Sequence, residues 1–232
     1  MKGLKIFVIA LVILIAICIS AFLIVGNYFY NFALSSKTSK KEVLESNEAE
    51  DTNESINSIE VQNINKWFEE NKKDIYINTY DNLKLHAYEF NNKTISDIWV
   101  IVIHGYAGNG KQMSNYTKQF YDMGYNVLTV DLRGAGQSEG SYIGMGWHDR
   151  LDIIEWINNI IEKNENSKIV LFGVSMGAAT TMMTTGENLP SNVKVAIEDC
   201  GYTSVWDEFK VQLNKMFHLP TFPALNAAEF IT

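Results

Sequence analysis

A serine with a glycine two residues away on each side is the feature of the sequence with the clearest chemistry. It lies in Gly173-Val-Ser-Met-Gly177, after the strand-like run Ile169–Phe172 and before an apolar helical segment. On a tight turn from strand to helix, the hydroxyl of Ser175 projects above the sheet, and the two glycines let neighbouring backbones pass closely. The helix N-terminus favours a developing oxyanion. The pattern predicts a nucleophilic serine, and the alternative is a serine that only caps the helix.

A second glycine-rich stretch poses a different chemical question. Gly105, followed four residues later by Gly110 and Lys111, nearly matches the loop that cradles nucleotide phosphates. Asp131 follows a later apolar run, where a nucleotide hydrolase holds its magnesium-binding aspartate. Gln112, however, stands where that motif requires a hydroxyl ligand for Mg²⁺. A nucleotide hydrolase is therefore the disfavoured alternative.

Alternating strands and helices must position these loops. A hairpin is predicted at 74–79 and 83–90, strands at 99–103, 125–130, 168–172 and 193–197, and helices at 112–123, 147–161 and 176–187. A hairpin followed by repeated strand–helix units indicates an α/β fold with a mostly parallel sheet covered on both faces. Ligands bind such sheets at the carboxyl ends of the strands, where both glycine-rich loops lie.

Three stretches together resemble the α/β-hydrolase family, especially bacterial serine hydrolases similar to monoacylglycerol lipases, esterases and serine aminopeptidases. His104-Gly-Tyr-Ala-Gly108 matches the H-G-x-x-G loop, Asp131–Ser138 matches D-x-R-G-x-G-x-S, and Gly173–Gly177 matches the nucleophile elbow. The resemblance covers residues from about 74 to 205. It implies an α/β-hydrolase fold with an N-terminal β-hairpin.

The resemblance also implies roles for particular residues. Ser175 would form an acyl-enzyme with an ester or amide substrate. The backbone N–H groups of Tyr106 and Met176 would bind the oxyanion. Lys111 would have no catalytic role, and Asp131 would organise its own loop. The reaction implied needs no metal and no other cofactor.

The triad acid and base follow the nucleophile in this family. His218 is the only histidine after Ser175, and a pairing with Asp199 or Glu198 is the weak in-chain alternative. We therefore expect a C-terminally truncated hydrolase that lacks its last two strands, and the alternative function is a catalytically incompetent binding or remnant domain. Cys200 is expected to be small and buried. The other histidines are expected to be structural or surface residues: His86, His104 and His148.

The N-terminus is predicted to be a membrane anchor, residues 1–36 with a helix at about 6–28. Ile6–Val25 carries no charge over twenty residues, which span ~30 Å as a helix. The alternative is a cleaved signal peptide, whose apolar region is usually shorter. Lysines on both sides of the run oppose each other in setting the orientation. The short N-terminal tail favours a single-pass protein of the cell membrane with an extracytoplasmic hydrolase domain.

The remaining segments complete the predicted organisation. Residues 37–60 form an acidic linker with too little apolar surface to fold, 61–204 the hydrolase core, and 205–232 the start of a lid. The net charge of −8 without a basic stripe argues against nucleic acid as a partner. The expected partners are a small-molecule ester or amide and, through the N-terminal helix, the lipid bilayer.

Overall fold

The computed structural model describes residues 2–38 and 58–231 of the chain. The described residues form two compact units, one made of 2–38 with 204–231 and the other of 58–203. The predicted acidic linker, 37–60, lies almost entirely outside the described residues.

The described secondary structure follows the predicted alternation closely. The helices are α1 (Lys2–Ala33), α2 (Ser58–Asn71), α3 (Ser114–Asp122), α4 (Asp149–Lys163), α5 (Met176–Thr185), α6 (Val205–Phe217) and α7 (Ala224–Ile231). The strands are β1 (Lys73–Asn78), β2 (Lys84–Phe90), β3 (Ile98–Ile103), β4 (Asn126–Val130), β5 (Lys168–Val174) and β6 (Val193–Asp199). A 3-10 turn, Gly110–Met113, precedes α3.

The six described strands form one sheet in the order β1-β2-β4-β3-β5-β6. The first two strands are an antiparallel hairpin, and β2 also pairs antiparallel with β4. The pairs β3–β4, β3–β5 and β5–β6 are parallel. The predicted α/β fold, with a mostly parallel sheet and an N-terminal hairpin, is therefore confirmed.

The central strands are apolar on both faces because helices cover both. Val100 and Val102 of β3 join one buried cluster with Phe68 of α2. Side chains alternate along a strand, so Ile101 and Ile103 face the opposite layer, where α5 packs on β3, β5 and β6. Because β3 and β5 are held at the centre, the loops at their carboxyl ends have fixed positions.

The first unit contains a long apolar helix. Among residues 2–38 and 58–231, α1 is the one helix that has the length and composition to cross a membrane, with a mean hydropathy of 3.4 over its most apolar window. A signal sequence near an N-terminus meets the same criteria. Within this unit, α7 packs against α1 and α6 packs against α7.

Asp149, the first residue of α4, is an ionisable group wholly buried in the second unit. Its Oδ2 accepts a hydrogen bond from the N–H of Gly146 at 2.9 Å, whereas its Oδ1 has no partner among the described residues. Burial raises the pKa of Asp149 to about 6, and the hydrogen bond from Gly146 only partly opposes that effect. Compared with the unfolded chain, the folded unit therefore favours the protonated form of the Asp149 carboxyl.

Asp149→Asn should remove a pH-dependent loss of stability. Because the pKa of Asp149 is raised from 3.8 to about 6, its contribution is fully present below pH 3.8 and is lost as the pH rises through about 6. The variant should gain up to about 3 kcal/mol over the parent between pH 4 and pH 7. Urea unfolding of both proteins at the two pH values measures this difference. Asp122→Asn, which alters an exposed carboxylate, is the control, and a gain that does not vary with pH would contradict the assignment.

Candidate active site

Ser175 occupies a strained turn between β5 and α5. Its φ is 55° and its ψ is −117°, a conformation that residues with a Cβ rarely adopt and that costs on the order of 1–3 kcal/mol. The strand ends at Val174 and the helix begins at Met176, so this one residue makes the whole change of direction. The N–H of Ser175 donates to the carbonyl of Asp199 at 2.8 Å, which ties the turn to the neighbouring strand β6.

The two glycines of the motif are required by close backbone approach. A Cβ on Gly173 would overlap the carbonyl group of Gly177. A Cβ on Gly177 would overlap the carbonyl of Ile103 and lie 2.7 Å from the carbonyl oxygen of His104. The helix α5 therefore starts directly against the end of β3, and no larger side chain fits at either position.

The loop after β3 passes within contact distance of the serine. The Cβ position of Gly105 lies 3.3 Å from the Cβ of Ser175 and 3.8 Å from its Oγ. Ala107 has a φ of 58°, and the N–H of Gly108 donates to the carbonyl of Gly105 at 3.2 Å, so the loop turns sharply. Two of the predicted site residues flank this contact, because Tyr106 follows Gly105 and Met176 follows Ser175.

The predicted oxyanion donors belong to one half-buried and one buried residue. Tyr106 is half-buried, and burial raises the pKa of its hydroxyl to about 12, so the side chain is neutral at physiological pH. Met176 is buried and is the first residue of α5. The N–H of a first helical residue has no acceptor four residues earlier within its own helix. The structure thus brings Ser175, Tyr106 and Met176 together at the carboxyl ends of β3 and β5.

His104 links this loop to the next one. Its Nε2 accepts a hydrogen bond from the N–H of Leu132 at 3.1 Å, so Nδ1 carries the proton and donates to the carbonyl of Gly105 at 2.7 Å. Burial lowers the pKa of His104, which keeps the ring neutral. This is the structural role that the sequence led us to expect.

Asp131 organises the loop that follows β4. Its carboxylate accepts hydrogen bonds from the N–H groups of Gly110 at 2.7 Å and Gln137 at 2.9 Å, and it faces Nδ1 of His86 at 2.7 Å. Burial opposes ionisation, but the hydrogen bonds from His86, Gln137 and Gly110 outweigh it and hold the pKa of Asp131 below its usual value. A Cβ on Gly136 would overlap this carboxylate.

The same contacts account for the stretch that resembles a phosphate loop. The N–H of Gly110, which would face a phosphate, instead donates to Asp131. The Nζ of Lys111 lies 2.6 Å from Oε1 of Glu69 on α2, and Gln112 completes a capping box with Asn109. These groups therefore bind other residues of the chain, which agrees with the sequence argument against a nucleotide hydrolase.

An unforeseen ion pair holds the far side of the loop. The guanidinium of Arg133 binds both carboxylate oxygens of Asp152 on α4, at 2.8 and 2.7 Å, and also binds Asp81 at 3.0 Å. Arg133 and Asp152 are buried, and a bidentate pair of this kind fixes orientation as well as charge. The D-x-R-G-x-G-x-S pattern could have flagged Arg133, but its partners lie 19 and 52 residues away.

The other two histidines of residues 58–203 are not in contact with Ser175 in the described residues. His86 faces Asp131 through one ring nitrogen and Asp74 through the other, and Nδ1 of His148 lies 3.0 Å from the hydroxyl of Tyr142. In the other unit, His218 caps the end of α6 with a φ of 54°.

Two further residues considered from the sequence, Asp199 and Cys200, lie close to the elbow. Asp199, half of the in-chain acid–base pair considered above, accepts a hydrogen bond at its backbone carbonyl from the N–H of Ser175, and its side chain is exposed. The prediction that Cys200 is buried is wrong. Its side chain is exposed, because it follows β6, whose side chains are themselves mostly exposed.

The fold and the elbow define an α/β-hydrolase. Residues 96–218 match the family model described as serine aminopeptidase, S33. The chain belongs to this family of α/β-hydrolases, as the sequence motifs predicted.

Individual relatives agree with this membership. The uncharacterized protein YqkD of Bacillus subtilis is 30% identical over 132 residues, which are 56% of this chain and 43% of YqkD. The structure of the Pyrococcus furiosus esterase Pf2001 matches with 27% identity and a TM-score of 0.57, over 69% of this chain and 60% of that one. The α/β-hydrolase GrgF of Penicillium shares the fold, with 20% identity and a TM-score of 0.51, over 62% of this chain and 52% of that one. The chain thus spans less than two thirds of the length of each of these proteins.

The strain at the elbow makes a testable prediction. Ser175→Gly should raise the free energy of unfolding by about 1–2 kcal/mol over Ser175→Ala, because glycine adopts the φ of 55° without the penalty that any Cβ incurs. Urea unfolding of the two variants measures the difference. Because both variants lack the hydroxyl, the effect of losing it is the same in each and does not contribute to the difference. Equal stability of the two variants would show that the turn is unstrained.

Proposed function

We propose that the chain is a serine hydrolase that cleaves an ester or amide through an acyl-enzyme on Ser175. The observation that carries the proposal is the strained conformation of Ser175 against the Gly105 loop. A backbone conformation that costs about 1–3 kcal/mol persists only where the surrounding structure enforces it, and such conformations cluster at active sites. A serine that merely capped α5 would need no positive φ, and its side chain makes no capping hydrogen bond.

The proposed reaction proceeds in two displacements at Ser175. Its Oγ attacks the substrate carbonyl carbon and gives its proton to a general base, which forms a tetrahedral intermediate with a negatively charged oxygen. The C–O or C–N bond to the leaving group then breaks, and that group takes the proton. Water attacks the resulting acyl ester in the same way and releases the acid and the free serine.

The oxyanion would be stabilised by two backbone donors. We assign these to the N–H groups of Tyr106 and Met176, which adjoin the contact between Gly105 and Ser175. Because Met176 is buried and Tyr106 is half-buried, such donors act in a lower local dielectric than that of water. Each should lower the barrier by about 3 kcal/mol.

The proposed substrate is an ester or an amide, and the comparisons support each of these two bonds. The Pf2001 relative is named an esterase, and the family is described as serine aminopeptidase. These names support an ester and an amide respectively as the bond that is cleaved. Comparing a p-nitrophenyl ester with an aminoacyl p-nitroanilide would decide between the two.

One observation favours a second candidate, a hydrolase-like domain that binds but does not turn over. The histidines of residues 58–203 all hold other partners: His86 with two carboxylates, His104 with two backbone groups, and His148 with Tyr142. None of them hydrogen-bonds to Ser175 in the described part of the chain. Without a base, a serine nucleophile loses several orders of magnitude in rate.

A fluorophosphonate probe distinguishes the two candidates. We expect it to label the protein and Ser191→Ala, which alters an exposed serine, but not Ser175→Ala. Ester hydrolysis should fall by at least about 10³-fold in kcat/KM in Ser175→Ala alone. Labelling that persists in Ser175→Ala would identify a different nucleophile, and absence of both labelling and turnover would favour the binding domain.

We further propose that α1 anchors the protein as a single pass in the cell membrane, with the hydrolase unit on the extracytoplasmic side. The helix has 32 residues, and the run from Ile6 to Ser36 contains no charged residue. This exceeds the ~20 residues that cross a bilayer and the 7–15 that a signal peptide needs.

Fractionation tests the anchor. The full chain should stay with membranes through carbonate and high-salt washes, because α1 buries its side chains in hydrocarbon. Mass spectrometry of the membrane fraction should recover peptides from residues 1–36. Release by salt would mean peripheral binding, and a mature protein that lacks these peptides would mean a cleaved signal.

A further inference from the structure

The second half of α1 is covered on one side by α7. Gly26 is the one buried residue of α1, and a Cβ there would overlap the carbonyl of Ala227 and lie 2.9 Å from the Cγ1 of Ile231. Small residues at such a contact let two helix backbones approach closely, which is the usual way that helices associate in lipid. The pair therefore has the packing expected of membrane helices.

Aromatic contacts set the direction of α7 along α1. Phe217, which precedes α7, packs edge-to-face on Phe29 at 5.3 Å and on Phe32 at 5.2 Å between ring centroids. Near the other end of α7, Phe230 packs on Phe22 at 6.2 Å. Since the chain descends from the level of Phe32 to that of Phe22, α7 runs antiparallel to α1.

The level of Phe22 defines the depth that α7 reaches. Phe22 lies three residues inside Val25, the last residue of the apolar run, or ~4.5 Å along the helix. The end of α7 thus reaches just below the boundary between headgroups and acyl chains. Glu229 is exposed, and at this shallow depth its carboxylate can extend to the headgroups.

The outer surface of the pair is apolar. Phe230 is 73% exposed, Phe222 just before α7 is 72% exposed, and Ile24 on α1 is 69% exposed. Burying a phenylalanine is worth roughly 1.5–3 kcal/mol, so an aqueous setting for two of them is unfavourable. Phe230 packs on Phe22, so its exposed face adjoins the surface of α1.

We propose that α7 is a second membrane contact of the chain, held beside α1 at the level of the interface, with Phe230 facing lipid acyl chains and Phe222 at the level of the headgroups. The proposal rests on the anchor role proposed for α1. The occupant of the apolar surface is lipid, because that surface adjoins a helix of membrane-spanning length and because α7 stays within the depth typical of interfacial helices, ~5–10 Å. The segment 217–231 is thereby fixed at the bilayer surface.

Depth-sensitive quenching tests the proposal on the full chain in phosphatidylcholine vesicles. Cys18→Ser and Cys200→Ser remove the native thiols, and an environment-sensitive fluorophore is attached to Phe230→Cys. Lipids that carry a doxyl group at acyl position 5 should reduce its emission at least about twofold. The control Ile95→Cys, at a position that is fully exposed in the other unit, should be unaffected.

A third label separates this inference from the anchor. Ile24→Cys reports on α1 itself. If Ile24→Cys is not quenched, the anchor is wrong and the present proposal falls with it. If Ile24→Cys is quenched and Phe230→Cys is not, the anchor stands and the proposal is refuted. Cross-linking of Phe230→Cys between two copies would also refute it, because the surface would then bind a second chain.

A pair of glycine variants tests the docking of α7 on α1. Gly26→Val should reduce quenching of the Phe230→Cys label, because its side chain occupies the space of the Ala227 carbonyl. Gly3→Val is the matched control on the same helix, since nothing lies within 4 Å of its Cβ position. Quenching that survives Gly26→Val unchanged would refute docking on α1.

Discussion

The close approach of two backbones beneath Ser175 is the constraint on which the second unit depends. The carbonyls at the end of β3 leave no room for a side chain at Gly177, and the start of α5 leaves none at Gly173. Between them, Ser175 must reverse the chain in a single residue, with a φ of 55°. The hydroxyl of Ser175 has a fixed position because the sheet and the helix allow that residue no relaxed conformation.

The rest of the fold holds the two loops beside this turn. The buried carboxylate of Asp131 binds N–H groups from both loops, those after β3 and β4, and the neutral ring of His104 also joins the two loops by hydrogen bonds. The pair of Arg133 and Asp152 then fixes the outer side of the loop to α4. Buried charges of this kind are costly unless fully paired, so they specify one arrangement of the loops more than they add stability.

Much of this arrangement could be predicted from the sequence. Apolar periodicity predicted each strand and helix from β1 to β6 to within a few residues, and the glycine spacing around Ser175 identified the elbow, because both signals are local. The strand order was not predictable in this way, since β4 lies between β2 and β3. The hydrogen bond from Gly110 to Asp131 joins residues 21 positions apart, so it could not be predicted locally. The local spacing of Gly105, Gly110 and Lys111 resembles a nucleotide-binding loop instead.

Two other features depend on contacts that no local pattern encodes. The exposure of Cys200 follows from the position of β6 in the sheet. The contact of Gly26 with Ala227 joins residues about two hundred positions apart, so the sequence could indicate only an apolar helix and an aromatic-rich segment. The assignments of Ser175, Tyr106 and Met176 stay predictions that the geometry supports.

The crystal structure of a phosphonate adduct would test the central claim most directly. If the strained elbow aims Ser175 into an oxyanion site, phosphorus should be bonded to its Oγ. The phosphonyl oxygen should then lie about 3 Å from the backbone nitrogens of both Tyr106 and Met176. An adduct on another residue, or a phosphonyl oxygen that points away from both nitrogens, would contradict the account.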